Sequence, residues 1–412
     1  MECDRGVPGS AGRYLIPDLP SSDDLLPYLR RIDAARWYSN FGPLVSEFEQ
    51  GVQDLLSRAD SHSNWGRISL TTLSSGHHAL EVGLNILGMH AGKRVLLPAV
   101  TFTSCPLAVL NAGAEAVLAD VDALHWTLTP EIARRVAARV KIDAVMPVAA
   151  YGVPLPASGW NEFTEETGIP VIVDAAAAIE SQQIPRLGLV AHSLHATKPF
   201  GVGEGGILVS RDSDAISSAR TYANFGMIDR ICHSSGSNTK MSEYHAAVGL
   251  AQLRRWDDVK QRRSLVLDLY KRHLSSMAGS VWLHPLIDQV VTSCLMMLLR
   301  APIAERVADE GKAVGLGFHR TYLPPLYHHP RFSHLSVVDG LGMELPAAAS
   351  YEHKREHMRN SERLREHLIG VPFHPFIESA DVAGVIRFLR TQLGGDVAGV
   401  SADQTEELCV AK

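Results

Sequence analysis

The chain has 412 residues, 46% of them hydrophobic and 20% charged, which is ordinary for a globular protein and enough for one large domain with a smaller companion or two of middling size. Its formal net charge of −6, without a long basic run, leaves binding to a nucleic-acid backbone without electrostatic support. No apolar window approaches the roughly twenty residues that span a bilayer, so no membrane partner is expected. The first residues lack the basic-then-apolar order of a secretory signal, and five scattered cysteines suit reduced thiols better than a disulfide framework. A cytoplasmic protein is expected.

Taken in chain order, residues 1–22 are rich in Gly, Pro, Ser and Asp and read as a flexible tail, as do residues 393–412. Between them, short and nearly all-apolar runs alternate with helical patterns. Arg94–Pro98, Ala116–Asp120, Ala144–Val148 and Pro170–Asp174 have the length and composition of strands buried on both faces. Helix-like segments such as Ala79–Leu87 and Ile132–Val140 separate them. This alternation predicts an α/β fold with a mainly parallel sheet between helices, over a large domain of residues 23–255. From Ser242 to about Met277 one long helix is expected, with Ala246, Ala247, Leu250, Leu253 and Trp256 on one face. The strand-like runs Val281–Leu283 and Leu295–Leu299 and the charged segment Tyr351–Leu368 then predict a smaller α+β domain, residues 256–392.

Sites in open α/β sheets lie beyond the carboxyl ends of the strands. The run Val171-Ile-Val-Asp174 ends in a carboxylate, which serves either as a cap for the next helix or as a buried anion facing a cationic ligand atom. Ser74-Ser75-Gly76-His77-His78 precedes the helical Ala79–Val82, so free backbone N–H groups at a helix start offer an anion site suited to phosphate. Lys198 follows Ser193-Leu-His-Ala-Thr197 and precedes Gly201, Gly203, Gly205 and Gly206. It is either a loop lysine or an amine that attacks a carbonyl after burial has stripped its charge. Taken together, a phosphate site, a carboxylate for a pyridinium nitrogen and a lysine for a Schiff base are what pyridoxal 5'-phosphate (PLP) requires. His353 and His357 have a metal-ligand spacing but read as a solvated charged face, so no metal is expected.

From about Trp37 to about Arg390 the chain resembles the DegT/DnrJ/StrS family of fold-type I PLP-dependent sugar aminotransferases. The resemblance is carried by Asn40-Phe-Gly-Pro-Leu-Val45, Leu97-Pro-Ala-Val-Thr-Phe102, Asp174-Ala-Ala-Ala-Ala178, Ser193 to Gly206, Gly236-Ser-Asn-Thr-Lys-Met-Ser242 and Tyr322-Leu-Pro-Pro-Leu326. It implies a seven-stranded, mainly parallel sheet and a homodimer with shared sites. It assigns Lys198 to the Schiff base and Asp174 to the pyridinium. Ser75, Gly76, His77 and Ser193 fall to the phosphate, with Asn238 joining from the partner subunit, while Phe102 stacks on the ring and Ala177 touches it. Asn40, Phe41, Lys240 and Tyr322 fall on the substrate side, and His328 either faces substrate in that loop or simply covers a turn. The implied reaction is ping-pong transfer of an amino group from glutamate or glutamine to a keto group of a nucleotide-linked deoxysugar. The same scaffold also serves enzymes acting on cyclitols or other secondary-metabolite ketones, or on non-transamination reactions, and a non-catalytic PLP binder would share these motifs. Three positions depart from the family pattern: Ala177 for the usual Gln, His77 for the usual Thr, and Thr239-Lys240 for the usual aromatic-Arg pair.

Overall fold

The computed structural model describes residues 10–60 and 63–394. Of the segment expected as a C-terminal tail, all but Leu393 and Gly394 lies outside the described residues. Residues 13–18, grouped by composition with an N-terminal tail, are instead held in place. The Tyr14 carbonyl accepts the Phe373 N–H at 2.9 Å, and the buried Asp18 pairs with Arg255 at 2.7 Å and Arg262 at 2.9 Å. Gly- and Pro-rich composition marks a lack of regular structure, not a lack of tertiary contacts.

The first helix, α1 (Ser22–Ala35), opens with a capping box between Ser21 and Asp24. The second, α2 (Pro43–Ala59), starts on a proline, and its free Leu44 and Val45 amides donate to the remote, buried carboxylate of Glu243 at 2.8 and 2.9 Å. Then come β1 (Ser69–Leu73), α3 (Gly76–Ile86), β2 (Arg94–Pro98), α4 (Ser104–Asn111), β3 (Glu115–Ala119), α5 (Pro130–Ala137) and β4 (Ala144–Val145). They are followed by α6 (Ala157–Thr167), β5 (Ile172–Asp174), β6 (Leu189–Ser193), β7 (Gly206–Ser210) and α7 (Ser213–Ala223). Strands β3, β2 and β4 pair in parallel, parallel bridges Val145–Val171 and Val148–Asp174 carry the sheet on to β5, and β5 pairs in parallel with β6. β7 and β1 complete it by antiparallel pairing. These seven strands make the mainly parallel sheet anticipated, and two later strands extend it to nine, two more than expected. Alternate strand residues feed two cores: Leu96, Val117, Val173 and Val190 face α2, α5, α6 and the later helices, while Leu97, Leu118, Ile172 and Leu189 face α3, α4 and α7.

A short hairpin, β8 (Met227–Ile228) and β9 (Ile231–Cys232), leads to α8 (Glu243–Arg254) and α9 (Trp256–Leu274). The single helix expected here is therefore two. Arg255 leaves helical geometry at φ −106° and ψ 6°, and its guanidinium is tied to Asp18, a tertiary contact that apolar periodicity cannot register. Beyond it lie β10 (Val281–Leu283), β11 (Leu295–Leu299), α10 (Ala304–Ala313), β12 (Ser336–Val338) and β13 (Glu344–Leu345). Next are α11 (Tyr351–His357), α12 (Arg359–His367), β14 (Leu368–Val371) and α13 (Ser379–Gln392). β10, β11 and β14 form a separate antiparallel sheet, whose Leu295, Met297, Ile369 and Val371 share a core with Val385 and Leu389 of α13. The segment between departs from the expected boundary: β12 pairs in parallel with β3, with β13 outside it, so the chain returns to the large sheet. Among the described residues, no helix is long and apolar enough to cross a membrane.

Candidate active site

A cavity of about 810 Å³ opens where β5 and β6 end and α3 begins. Asp174 terminates β5 and is 5% exposed. Oδ1 caps the following turn by accepting the Ala176 N–H at 2.9 Å, and the carboxylate also lines the cavity. Oδ2 accepts the thiol proton of Cys105 at 2.9 Å. Burial pushes the Asp174 carboxyl above its ordinary range, and Cys105, the Ala176 amide and the charge on Lys198 pull it only part of the way back.

Lys198 sits in the turn after β6, half-buried, with its backbone N–H held by the His195 carbonyl at 2.8 Å. Its amine has no hydrogen-bond or ion-pair partner among the described residues. Ser75 caps α3 through its Oγ, which accepts the His78 N–H at 3.1 Å, so the first amides of α3 stay free at the positive end of the helix. Ser193 faces that turn closely: a Cβ on Gly76 would come within 2.6 Å of the Ser193 Cβ. His77 lines the cavity as well, but its ring is fixed by Ser104 Oγ at 2.9 Å and Glu81 at 3.0 Å. The hydrogen bond to Glu81 raises its pKa above the ordinary histidine value, which favours the charged form of its ring.

Phe102 is 59% exposed, an unusual state for a phenylalanine, and lines the cavity with Ala177 and Tyr322. Tyr322 stacks on Tyr151 with ring centroids 5.0 Å apart. Sequence reasoning missed Cys105, Tyr14, Cys294 and His192 around the cavity. Cys105 had a signal, lying one helical turn beyond Thr101-Phe102; Tyr14 had none, since it comes from an apparent tail. His192 is fully buried with Nδ1 3.0 Å from the Ala175 carbonyl, and desolvation lowers its pKa to about 4, so it stays neutral.

Five expected site residues lie outside this cavity. Phe41, beside Asn40, has the Arg220 guanidinium 3.8 Å above its ring, and Arg220 pairs with both oxygens of Glu49. Lys240 donates to Asn238 Oδ1 at 2.7 Å and lies over the Phe225 ring. This pair is nonetheless near the start of α3, because the intervening Thr239 carbonyl accepts the Ser74 N–H at 2.7 Å. His328, which could have faced substrate or covered a turn, is clasped outside the cavity between Glu362 at 2.5 Å and the Tyr351 hydroxyl at 2.6 Å. Among the described residues no cluster of three metal-ligating side chains occurs, and His357 contacts the Met343 carbonyl at 2.7 Å.

An amine without a partner, a buried carboxylate, a helix N-terminus crowded against a serine and an exposed aromatic face on one cavity fit PLP in every part, and on this fold they define a fold-type I PLP enzyme. The chain belongs to the DegT/DnrJ/EryC1/StrS aminotransferase family, whose sequence model matches residues 21–390, and it is a PLP-dependent aminotransferase. It is similar to protein Rv3402c of Mycobacterium tuberculosis, at 29% identity over 90% of this chain and 88% of the relative. It is also similar to the dTDP-4-amino-4,6-dideoxy-D-glucose transaminase of Shigella dysenteriae, at 29% identity over 64% and 70% of the two chains. Among solved structures, DesI in the presence of its TDP-sugar product superposes with a TM-score of 0.76 at 25% identity, over 93% of this chain and 92% of that one.

Proposed function

We propose that the protein moves an amino group from glutamate or glutamine to a keto group of a nucleotide-linked deoxysugar in two half-reactions. The observation that carries this reading is the convergence of Lys198, Asp174 and the α3 N-terminus on one cavity. The sugar acceptor is supported by the Shigella transaminase and by DesI with its TDP-sugar product. Bound PLP supplies an electron sink for the charge that develops when a proton leaves the donor α-carbon. The first amides of α3, with the Ser75 and Ser193 hydroxyls, would hold its phosphate. Phe102 would cover one ring face, and Asp174 would hold the ring nitrogen protonated. Lys198 Nζ would anchor the cofactor until the donor displaces it, then move the proton between the donor α-carbon and the cofactor carbon as general base and acid.

The second half of each site would come from another copy of the chain. Asn40, Phe41, Asn238 and Lys240 lie outside their own chain's cavity, and close by them Trp37, Tyr38, Ile228, Ile231 and Tyr244 expose large apolar surfaces. The free thiols of Cys105, Cys232 and Cys294 suit a reducing, cytoplasmic setting.

The test is the visible absorbance of purified protein, followed by glutamate or glutamine. Loss of the band establishes the donor half-reaction, and its return on adding a nucleotide-linked keto-deoxysugar, but not a free cyclic ketone, establishes the acceptor. A band that persists with both donors refutes the donor assignment. Return of the band with a cyclic ketone alone moves the enzyme to the cyclitol class.

A further inference from the structure

Cys105 lies in the first turn of α4, fully buried, with its Sγ 2.9 Å from Asp174 Oδ2 and 3.2 Å from Thr101 Oγ1. A thiol has one proton to donate. Because that proton goes to Asp174, the sulfur is left to accept, and the order runs from the Thr101 hydroxyl to the Cys105 thiol to the carboxylate. The other carboxylate oxygen takes the Ala176 N–H.

These contacts bear on where a shared proton rests. Between a carboxylate and a pyridine-type nitrogen, the proton stays with the stronger base. Burial without partners strengthens a carboxylate as a base, whereas each hydrogen bond donated to its ionised form weakens it. Asp174 experiences both effects, with Cys105, Ala176 and the charge of Lys198 acting against burial. Tyr322 faces Asp174 from another wall, and burial keeps its phenol neutral. Of the two hydrogen-bond donors, the Ala176 amide belongs to the backbone, so the thiol is the one that evolution or mutation can tune.

We propose that Cys105 is a positioning residue that keeps Asp174 ionised, so that the proton shared with the cofactor's ring nitrogen remains on the ring. The inference rests on the PLP reading of this cavity. Its consequence is graded, since a hydroxyl is a stronger donor than a thiol and a methyl group donates nothing. A positively charged ring makes the nitrogen joining Lys198 to the cofactor less basic, and that nitrogen's protonation moves the visible band.

The experiment is a pH titration of the visible band in wild type, Cys105→Ala and Cys105→Ser, each reconstituted with PLP, beside thermal melting of the cofactor-free proteins. Cys105→Ala should raise the midpoint by about half to one pH unit, the effect of losing one hydrogen bond to a buried acceptor. Cys105→Ser should bring it to the wild-type value or below. A wild-type midpoint in Cys105→Ala overturns the proposal, and so does an equal rise in both variants, which would show that the site senses volume and not donation. If Cys105→Ala does not fold, Cys105→Ser still decides, because a raised midpoint there also overturns it. Absence of any visible band in wild type with PLP would remove the cofactor reading and this inference together, whereas an unmoved midpoint removes only the role of Cys105.

Discussion

Replacing Gly76 by alanine sets two effects of known size against each other. The Gly76 backbone is not in the left-handed region, so alanine fits its conformation, and better helix propensity would stabilise the folded chain by up to about 1 kcal/mol. Against that, the new Cβ would lie 2.6 Å from the Ser193 Cβ and 3.0 Å from both the Ser193 Cα and Oγ. Ordinary carbon contacts lie near ~3.5–4.0 Å, so something must move by about 1 Å. Ser193 cannot yield easily. It is paired with Gly206 across β6 and β7, and Gly206 backs onto Ser75, whose carbonyl oxygen would be 2.1 Å from a Cβ placed there. Overpacking of this kind costs about 1–3 kcal/mol, so the clash wins. The first turn of α3 can move most readily, and that turn is the proposed phosphate cradle. We expect a net loss of about 1–2 kcal/mol to appear as a PLP dissociation constant raised by about 5–30-fold. Titrating cofactor-free protein with PLP by visible absorbance measures it. Wild-type affinity together with a raised melting temperature would show that propensity won and that the cradle is not rigid.

Lys198→Ala should retain the fold and abolish transamination in both half-reactions, and full turnover in that variant would end the proposed mechanism. Ala177→Gln should slow PLP loss on dialysis, because an amide at this cavity-lining position gains a polar contact with the cofactor; unchanged loss would count against it. Glu362 offers a pH test away from the chemistry. Burial alone would raise its carboxyl, but hydrogen bonds from His328, Arg365 and Tyr327 more than offset this and lower it to about 2. A depressed carboxyl contributes stability above its unfolded pKa of about 4.3, lost as pH falls towards 2. Glu362→Gln should therefore destabilise the protein by about 1–3 kcal/mol near neutrality. The gap from wild type in denaturant midpoints should narrow below about pH 4, and a gap constant with pH would refute the assignment.

Local pattern and covalent neighbourhood settled more of the site than of its surroundings. Asp174 could be placed at a strand end and Lys198 against a glycine loop because each signal lies within a few consecutive residues. The same holds for the serine cap at α3. His328 was left open because a histidine beside a turn looks the same whether it faces a cavity or, as here, a buried glutamate from α12. The break at Arg255 and the anchoring of Tyr14 escaped notice for a related reason: each is imposed by a partner more than two hundred residues away in the chain, Asp18 in one case and Met296 with Thr321 in the other.

Strand and helix periodicity, the order of the βα units and the residue types at the strand ends were determined by sequence alone, because buried parallel strands must be apolar throughout and helix starts must satisfy free amides nearby. Tertiary structure decided which of those residues share a cavity, that the Cys105 thiol donates to Asp174, that Asn238 and Lys240 stay outside their own chain's pocket, and that β12 returns to the large sheet. Hydrogen bonds and packing between distant segments depend on distances that no local sequence window encodes.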